Sequence, residues 1–165
     1  MDFNFSDDQE QLRDAVSKWV ERGYDFDRRR RITAEGGFSR DAYNELAELG
    51  LTGLTLSESL GGLGMGPVES MVVMESLGHG IVLEPLAQTL MAGVLLSQYA
   101  TPAVQQSWSG PLATGEALMV LATQERKNRY HLNQCETQAT RAGDGWVITG
   151  DKRSEERRVG QEWRL

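Results

Sequence analysis

Leu12, Ala15, Val16, Trp19 and Val20 recur at intervals of three and four residues between charged positions, a spacing that predicts an amphipathic helix near the start of the chain. Ser6 stands where a cap belongs, Gln9 occupies the reciprocal capping-box position, and Asp7, Asp8 and Glu10 suit the positive end of the helix dipole. Burying Leu12, Val16 and Val20 contributes roughly 1.5–3 kcal/mol each, and a helix of this length needs that partner surface in water. A second helix starts at Ser39 and runs through Ala42, Tyr43, Leu46 and Ala47, with Gly50 placed to end it in the left-handed conformation. The stretch LTGLTLSESLGGLGMG then passes from apolar to glycine-rich, and Pro67 sits at a natural first helical position.

From Pro67 to about Leu77 the residues Val68, Met71, Val72, Met74 and Leu77 wrap most of the helix circumference, which predicts a place at the centre of a bundle. Pro85 opens another helix with Leu86, Leu90, Met91, Val94 and Leu95. Thr101 and Pro102 open the last, holding Val104, Trp108 and Leu112. The methionines and Trp108 read as core residues rather than cofactor contacts. After Gly115 the pattern changes. Ala117 to Ala122 is a short apolar run with strand character, Thr137 to Ala142 alternates weakly, and Trp146 to Thr149 is strand-like behind the turn Gly143-Asp144-Gly145. The expected fold is mainly α: a helical bundle over residues 1–116, followed over 117–152 by the first strands of a truncated β-barrel domain.

Bulk properties narrow the function. Hydrophobic residues make up 39% and charged residues 25% of the 165, the range of a globular chain. A net charge of −7 disfavours a nucleic-acid backbone as partner. No apolar run approaches the roughly 20 residues that span a bilayer, and MDFNFSDDQEQ lacks the layout of a secretory signal, so a cytoplasmic location is expected. The single cysteine, Cys135, can form no internal disulfide, and His79 and His131 without paired cysteines make no structural zinc site. The run Arg28–Arg31 beside Asp25 and Asp27 reads as a solvated helix face. The glycine loop fails as a P-loop because Gly66 is followed by Pro67. It fails as a dinucleotide fingerprint because, counting from Gly62 and Gly64, the third glycine position holds Pro67. A backbone-permissive turn remains. With no Ser–His–Asp spacing, nucleophile elbow or HExxH, the residues show no catalytic constellation, and a helical module that docks on a partner is a viable reading.

Resemblance adds to this. DFNFSDDQEQLRDAVSKWV, the long segment YNELAELGLTGLTLSESLGGLGMGPVESMVVMESLG, the stretch Gln105–Glu116 ending LATGE, and GDGWVITGDK together resemble the acyl-CoA dehydrogenases over residues 2–152. Within that family RITAEGGFSRDAY, GPVESMVVMESLG, VLEP and the ER…RY pair look closest to the small-subunit type of pimeloyl-CoA dehydrogenase. The resemblance implies FAD as cofactor, a saturated acyl-CoA as substrate and an electron-transferring flavoprotein as acceptor, in a homo- or hetero-oligomer. It implies oxidation to a trans-2-enoyl-CoA, with a glutamate taking the α-proton and the β-hydride passing to flavin while hydrogen bonds to the thioester oxygen stabilise the enolate. The family's flavin loop reads Thr-Glu-Pro, then Gly-Ser-Asp. Here Glu125 keeps the acid, Gln124 replaces the threonine, Arg126 replaces the proline, and Tyr130 falls at the serine position. By that resemblance Leu121, Thr123 and Gln124 are the candidate flavin contacts. The family's base comes from a carboxy-terminal domain, so Glu125 is not the base, no catalytic residue is assigned, and the chain alone is expected to be inactive. The alternative is a non-catalytic structural subunit of a heteromeric enzyme. Finally, RSEERRVGQEWRL breaks the strand pattern and resembles adapter-encoded sequence, so residues 153–165 are expected to be a non-native tail.

Overall fold

Both hydrogen bonds of the expected capping box form at the start of α1 (Asp7–Gly23): Gln9 N donates to Ser6 Oγ at 3.3 Å and Ser6 N to Gln9 Oε1 at 3.0 Å. The structure, a computed structural model, describes residues 4–125, 131 and 133–152, so the expectations for Arg126, Arg129, Tyr130 and the 153–165 tail lie outside it. Gln9 also donates through Nε2 to Glu69 at 2.7 Å, while the other Glu69 oxygen accepts Gly66 N at 2.9 Å. One polar link thus joins the first turns of α1 and α4 (Pro67–His79). Val16 and Val20 are buried and Leu12 and Trp19 half-buried, whereas Ala15 lies at the exposed edge of the stripe.

The basic run forms a helix of its own, α2 (Phe26–Ala34), capped by Asp25, whose Oδ1 accepts Arg28 N at 2.7 Å. It is only partly the solvated face that its charge suggests. Arg30 and Arg31 are exposed, but Arg28 turns inward and makes a two-pronged contact to Glu45 at 2.7 and 3.0 Å, plus a bond to Gly23 O at 2.8 Å. Trp19 Nε1 donates to the same carboxylate at 2.8 Å, and Arg29 reaches Gly80 O at 2.8 Å. The Arg28 guanidinium, with Trp19, holds the Glu45 carboxyl below its ordinary range. A carboxyl lowered in the folded state stabilises above its unfolded value and loses that contribution as pH falls through the folded one. Because Glu45 is more than a third exposed, water screens the pair and its contribution is about 1 kcal/mol. Glu45→Gln is therefore expected to cost about 1 kcal/mol at neutral pH, and urea melts at falling pH should show the gap to wild type closing below the usual glutamate range. A gap independent of pH would disprove the assignment.

The remaining helices are α3 (Arg40–Glu48), α5 (Leu86–Tyr99) and α6 (Pro102–Ala113). Gly50 has φ 78°, the left-handed stop read from sequence, and it turns the chain so that Leu51, Leu54 and Leu56 are fully buried. The main core joins Val16 and Val20 of α1, Leu46 of α3, Leu51 and Leu54, Val73 and Leu77 of α4, and Leu86 and Leu90 of α5. A smaller cluster holds Leu56, Leu96 and Leu112. Tyr43 and Thr89, both buried, share a hydrogen bond at 2.9 Å.

Two expectations about the core need correction. α4 is not central: Val72, Val73, Ser76 and Leu77 are buried, but Val68, Met71 and Met74 on its other side are exposed, Met71 at 53%. Met91 and Trp108 are exposed as well, Trp108 at 47%. The reason is local geometry. α6 turns Ser109 and Leu112 inward, and Val104 and Trp108, four residues apart, share a different face.

The β part consists of β1 (Gln138–Ala142) and β2 (Gly145–Thr149), an antiparallel hairpin with Gln138 opposite Thr149 and Ala142 opposite Gly145, closed by the two-residue turn Gly143-Asp144. The expected strand at 117–122 does not form. A strand needs a neighbour to complete its ladder, and among the described residues only β1 and β2 pair. The chain divides at Leu121–Ala122 into two compact units, the helices in the first and the hairpin in the second. Among the described residues no helix is long and apolar enough to cross a membrane.

Candidate functional site

Beyond α6 the chain is held by Arg40 Nη1, which donates to Gly115 O at 3.0 Å, and by its next residues, and then runs free of hydrogen bonds among the described residues. Ala117 N donates to Pro111 O at 2.8 Å, and Met119 packs against the Leu56–Leu96–Leu112 cluster. From Val120 to Gln124 no side chain or main-chain group makes a hydrogen bond among the described residues. Leu121, which ends the first unit, is half-buried, and Thr123 and Gln124, which open the second, are exposed. The three candidate flavin contacts thus fall within four successive positions of one stretch whose amides make no hydrogen bond among the described residues. No fold contact gathers them from separate elements.

Glu125 ends that freedom. Its carboxylate, only 6% exposed, accepts Glu136 N at 2.6 Å, Thr137 N at 3.1 Å, Thr137 Oγ1 at 2.6 Å and Lys152 Nζ at 2.7 Å, with the Cys135 thiol at 3.3 Å. Four of these donors come from the leg entering β1 and one, Lys152, from the leg leaving β2. The Lys152 ammonium first, then the Thr137 hydroxyl and the two amides, hold the Glu125 carboxyl far below the usual carboxylate range, and Lys152 is raised in turn. Gly150 lies flat against Thr137: a β-carbon there would overlap the Thr137 hydroxyl and stand 2.7 Å from its Cα. The open end of the hairpin is therefore shut around one carboxylate. A carboxylate held ionised so far below its usual range takes up a proton poorly, so Glu125 is a poor general base.

Sequence reasoning noted Glu125 as the acid retained from the family loop but did not find its partners. Thr137 and Lys152 lie 12 and 27 residues away, with no local motif to connect them. The first unit offers weaker alternatives. A cleft of about 440 Å³ between Trp19, Lys18, Arg22 and Leu49 ends on Glu45, whose oxygens are taken by Arg28 and Trp19. Among the described residues no group of His, Cys, Asp or Glu could hold a metal ion.

The profile of "Acyl-CoA dehydrogenase, N-terminal domain" matches residues 6–116, two-thirds of the chain. The chain belongs to the acyl-CoA dehydrogenase family. Acyl-CoA dehydrogenase FadE27 of Mycobacterium tuberculosis is 28% identical over 119 residues, 72% of this chain and 31% of that protein. The (2S)-methylsuccinyl-CoA dehydrogenase of Cereibacter sphaeroides is 32% identical over 115 residues, 65% of this chain and 20% of that protein. Among solved structures, the ChsE4-ChsE5 complex from Mycobacterium tuberculosis matches with a TM-score of 0.79 and 26% identity, covering 91% of this chain and 40% of that one. The Tcur3481-Tcur3483 steroid ACAD G363A variant matches in fold, with a TM-score of 0.77 at 23% identity over 88% of this chain and 40% of that one. The chain thus spans about a fifth to two-fifths of the length of these relatives.

Proposed function

We propose that this chain is the amino-terminal part of an FAD-dependent acyl-CoA dehydrogenase that converts a saturated acyl-CoA to its trans-2-enoyl-CoA. Residues 1–116 form its helical domain, 117–152 open its middle β domain, and 153–165 are a non-native tail. The observation that carries this reading is the family match over residues 6–116, followed directly by a stretch whose amides have no partner in the described structure. Leu121, Thr123 and Gln124 fit a flavin edge in kind: a half-buried apolar side chain beside neutral, exposed donors and acceptors, with the Glu125 carboxylate paired to Lys152. Bound there, the flavin would supply hydride acceptance from the acyl β-carbon. The chain's own part is to hold and orient. Its ionised Glu125 takes no proton, so the α-proton goes to a base on another part of the protein. Electrons pass on to an electron-transferring flavoprotein, and a cytoplasmic location belongs to the same reading.

A second reading has support from one observation. One similar solved structure is the ChsE4-ChsE5 complex, which favours a heteromeric parent in which this chain belongs to a structural partner of the small-subunit pimeloyl-CoA type. Flavin titration and acyl-CoA oxidation with an artificial electron acceptor test both readings. The full-length protein is expected to bind FAD and oxidise acyl-CoA, and the 165-residue chain to give no turnover. A full-length protein that binds FAD without turnover supports the structural subunit, and one that binds no FAD ends the flavin reading.

A further inference from the structure

Among the described residues of the second unit, the most heavily hydrogen-bonded side chain sits next to a stretch that makes no hydrogen bond. Glu125 receives donors from both legs of the hairpin, whereas nothing from Ala122 to Gln124 makes a hydrogen bond among the described residues. We propose that Glu125 and Lys152 are positioning residues for the flavin: their ion pair pins the end of the Ala122–Gln124 stretch to the open end of the β1–β2 hairpin and so fixes the direction of its amides. The inference rests on the flavin reading above and adds two residues that act without touching the cofactor.

The geometry supports a clamp rather than a surface ion pair. Lys152 follows β2 by three residues and Thr137 immediately precedes β1, so Glu125 joins three separate parts of the chain at one point. The Lys152–Glu125 contact is a charge-assisted bond of 2.7 Å, with the Glu125 side chain covered by its donors and 4% exposed and the Lys152 side chain 29% exposed. Close approach of Gly150 to Thr137 brings the two legs together beside the carboxylate. An amide row that is fixed before the ligand arrives binds without the ordering cost that a loose one carries.

Lys152→Met and Glu125→Gln test the idea, with Lys152→Arg as the conservative rescue, since arginine keeps the charge and the donors. Two readouts are needed. In the 165-residue chain, Cys135 is the sole cysteine, and its thiol touches both clamp residues, at 3.3 Å to Glu125 and 3.4 Å to Lys152. Its rate of reaction with an aromatic disulfide reagent therefore reports the clamp without any flavin. In the full-length protein, FAD affinity is measured by flavin-fluorescence titration of the apoprotein. Expected are a change in the Cys135 rate and FAD affinity weaker by about ten- to a hundredfold in Lys152→Met and Glu125→Gln, with both returning close to wild type in Lys152→Arg. Wild-type FAD affinity in both disruptive variants would overturn the positioning role and leave the flavin reading intact. So would a loss of affinity in Lys152→Met with no change at Cys135. Failure of the wild-type full-length protein to bind FAD would remove the flavin reading and this inference together, even if the Cys135 rates respond.

Discussion

Replacing Leu46 by alanine is expected to lower the unfolding free energy of the helical unit by about 2–5 kcal/mol. Leu46 is fully buried where α1, α3, α4 and α5 meet, in one cluster with Val16, Val20, Leu51, Leu54, Val73, Leu77, Leu86 and Leu90. Truncation removes its transfer free energy and leaves a void that neighbours on three other helices and the loop after Gly50 cannot all close. Domains of this size are stable by roughly 5–15 kcal/mol, so the variant gives up a large share of the total. Since 1 kcal/mol moves the midpoint of a domain of about a hundred residues by about 4–8 °C, the melting temperature should fall by on the order of 10–30 °C. Met71→Ala is the matching control, because Met71 projects from the exposed side of α4 and its loss should stay within about 0.5 kcal/mol. Thermal melts followed by helical circular dichroism compare the two. Equal destabilisation by both would mean that the burial pattern of α4 described above is wrong.

That contrast also shows where sequence reading stops. Ser6 with Gln9, Gly50 and Pro67 were legible because each acts on backbone groups within four residues of itself. The inward face of α4 was not. With Val68, Met71, Val72, Val73, Met74 and Leu77 spread around the helix, periodicity cannot say which side meets α1, and only packing decides. Residues 117–122 failed as a strand for a related reason: an apolar run states a willingness to be extended, while a ladder needs a partner from elsewhere. The Arg28–Arg31 run carried four charges but only two solvated ones, because Glu45, 17 residues from Arg28, was in reach of the first. At the candidate site the same limit applies. Leu121, Thr123 and Gln124 came from resemblance alone. The carboxylate that anchors them was visible as a letter, but its donors at Thr137 and Lys152 became visible only in three dimensions.

Glycine 62 provides the last and most local test. In the structure the loop after Leu56 folds back on itself through a series of main-chain bonds: Gly62 N to Ser57 O at 3.1 Å, Leu63 N to Gly53 O at 3.0 Å, Gly64 N to Leu56 O at 2.8 Å and Met65 N to Leu54 O at 2.9 Å. These four amides are spent on carbonyls and cannot cradle a phosphate, a physical reason that the glycines here do not act as a nucleotide motif. At position 62 the close return leaves no room for a side chain. A β-carbon would overlap both the carbonyl oxygen and the Cβ of Leu56, a fully buried residue packed with Leu96 and Leu112. Neither atom is the end of a flexible side chain that could swing aside, so the backbone must move and the four bonds with it. Gly62→Ala is expected to destabilise by about 3 kcal/mol, the upper part of the range for overpacked sites. Gly78→Ala makes the opposite prediction. It lies in α4 with nothing within 4 Å of the added methyl, and helix propensity should stabilise the unit by about 0.4–1 kcal/mol. Urea melts of the two variants separate a glycine required by close approach from one that is merely tolerated. A Gly62→Ala protein as stable as wild type would show that the loop does not return against Leu56 as described.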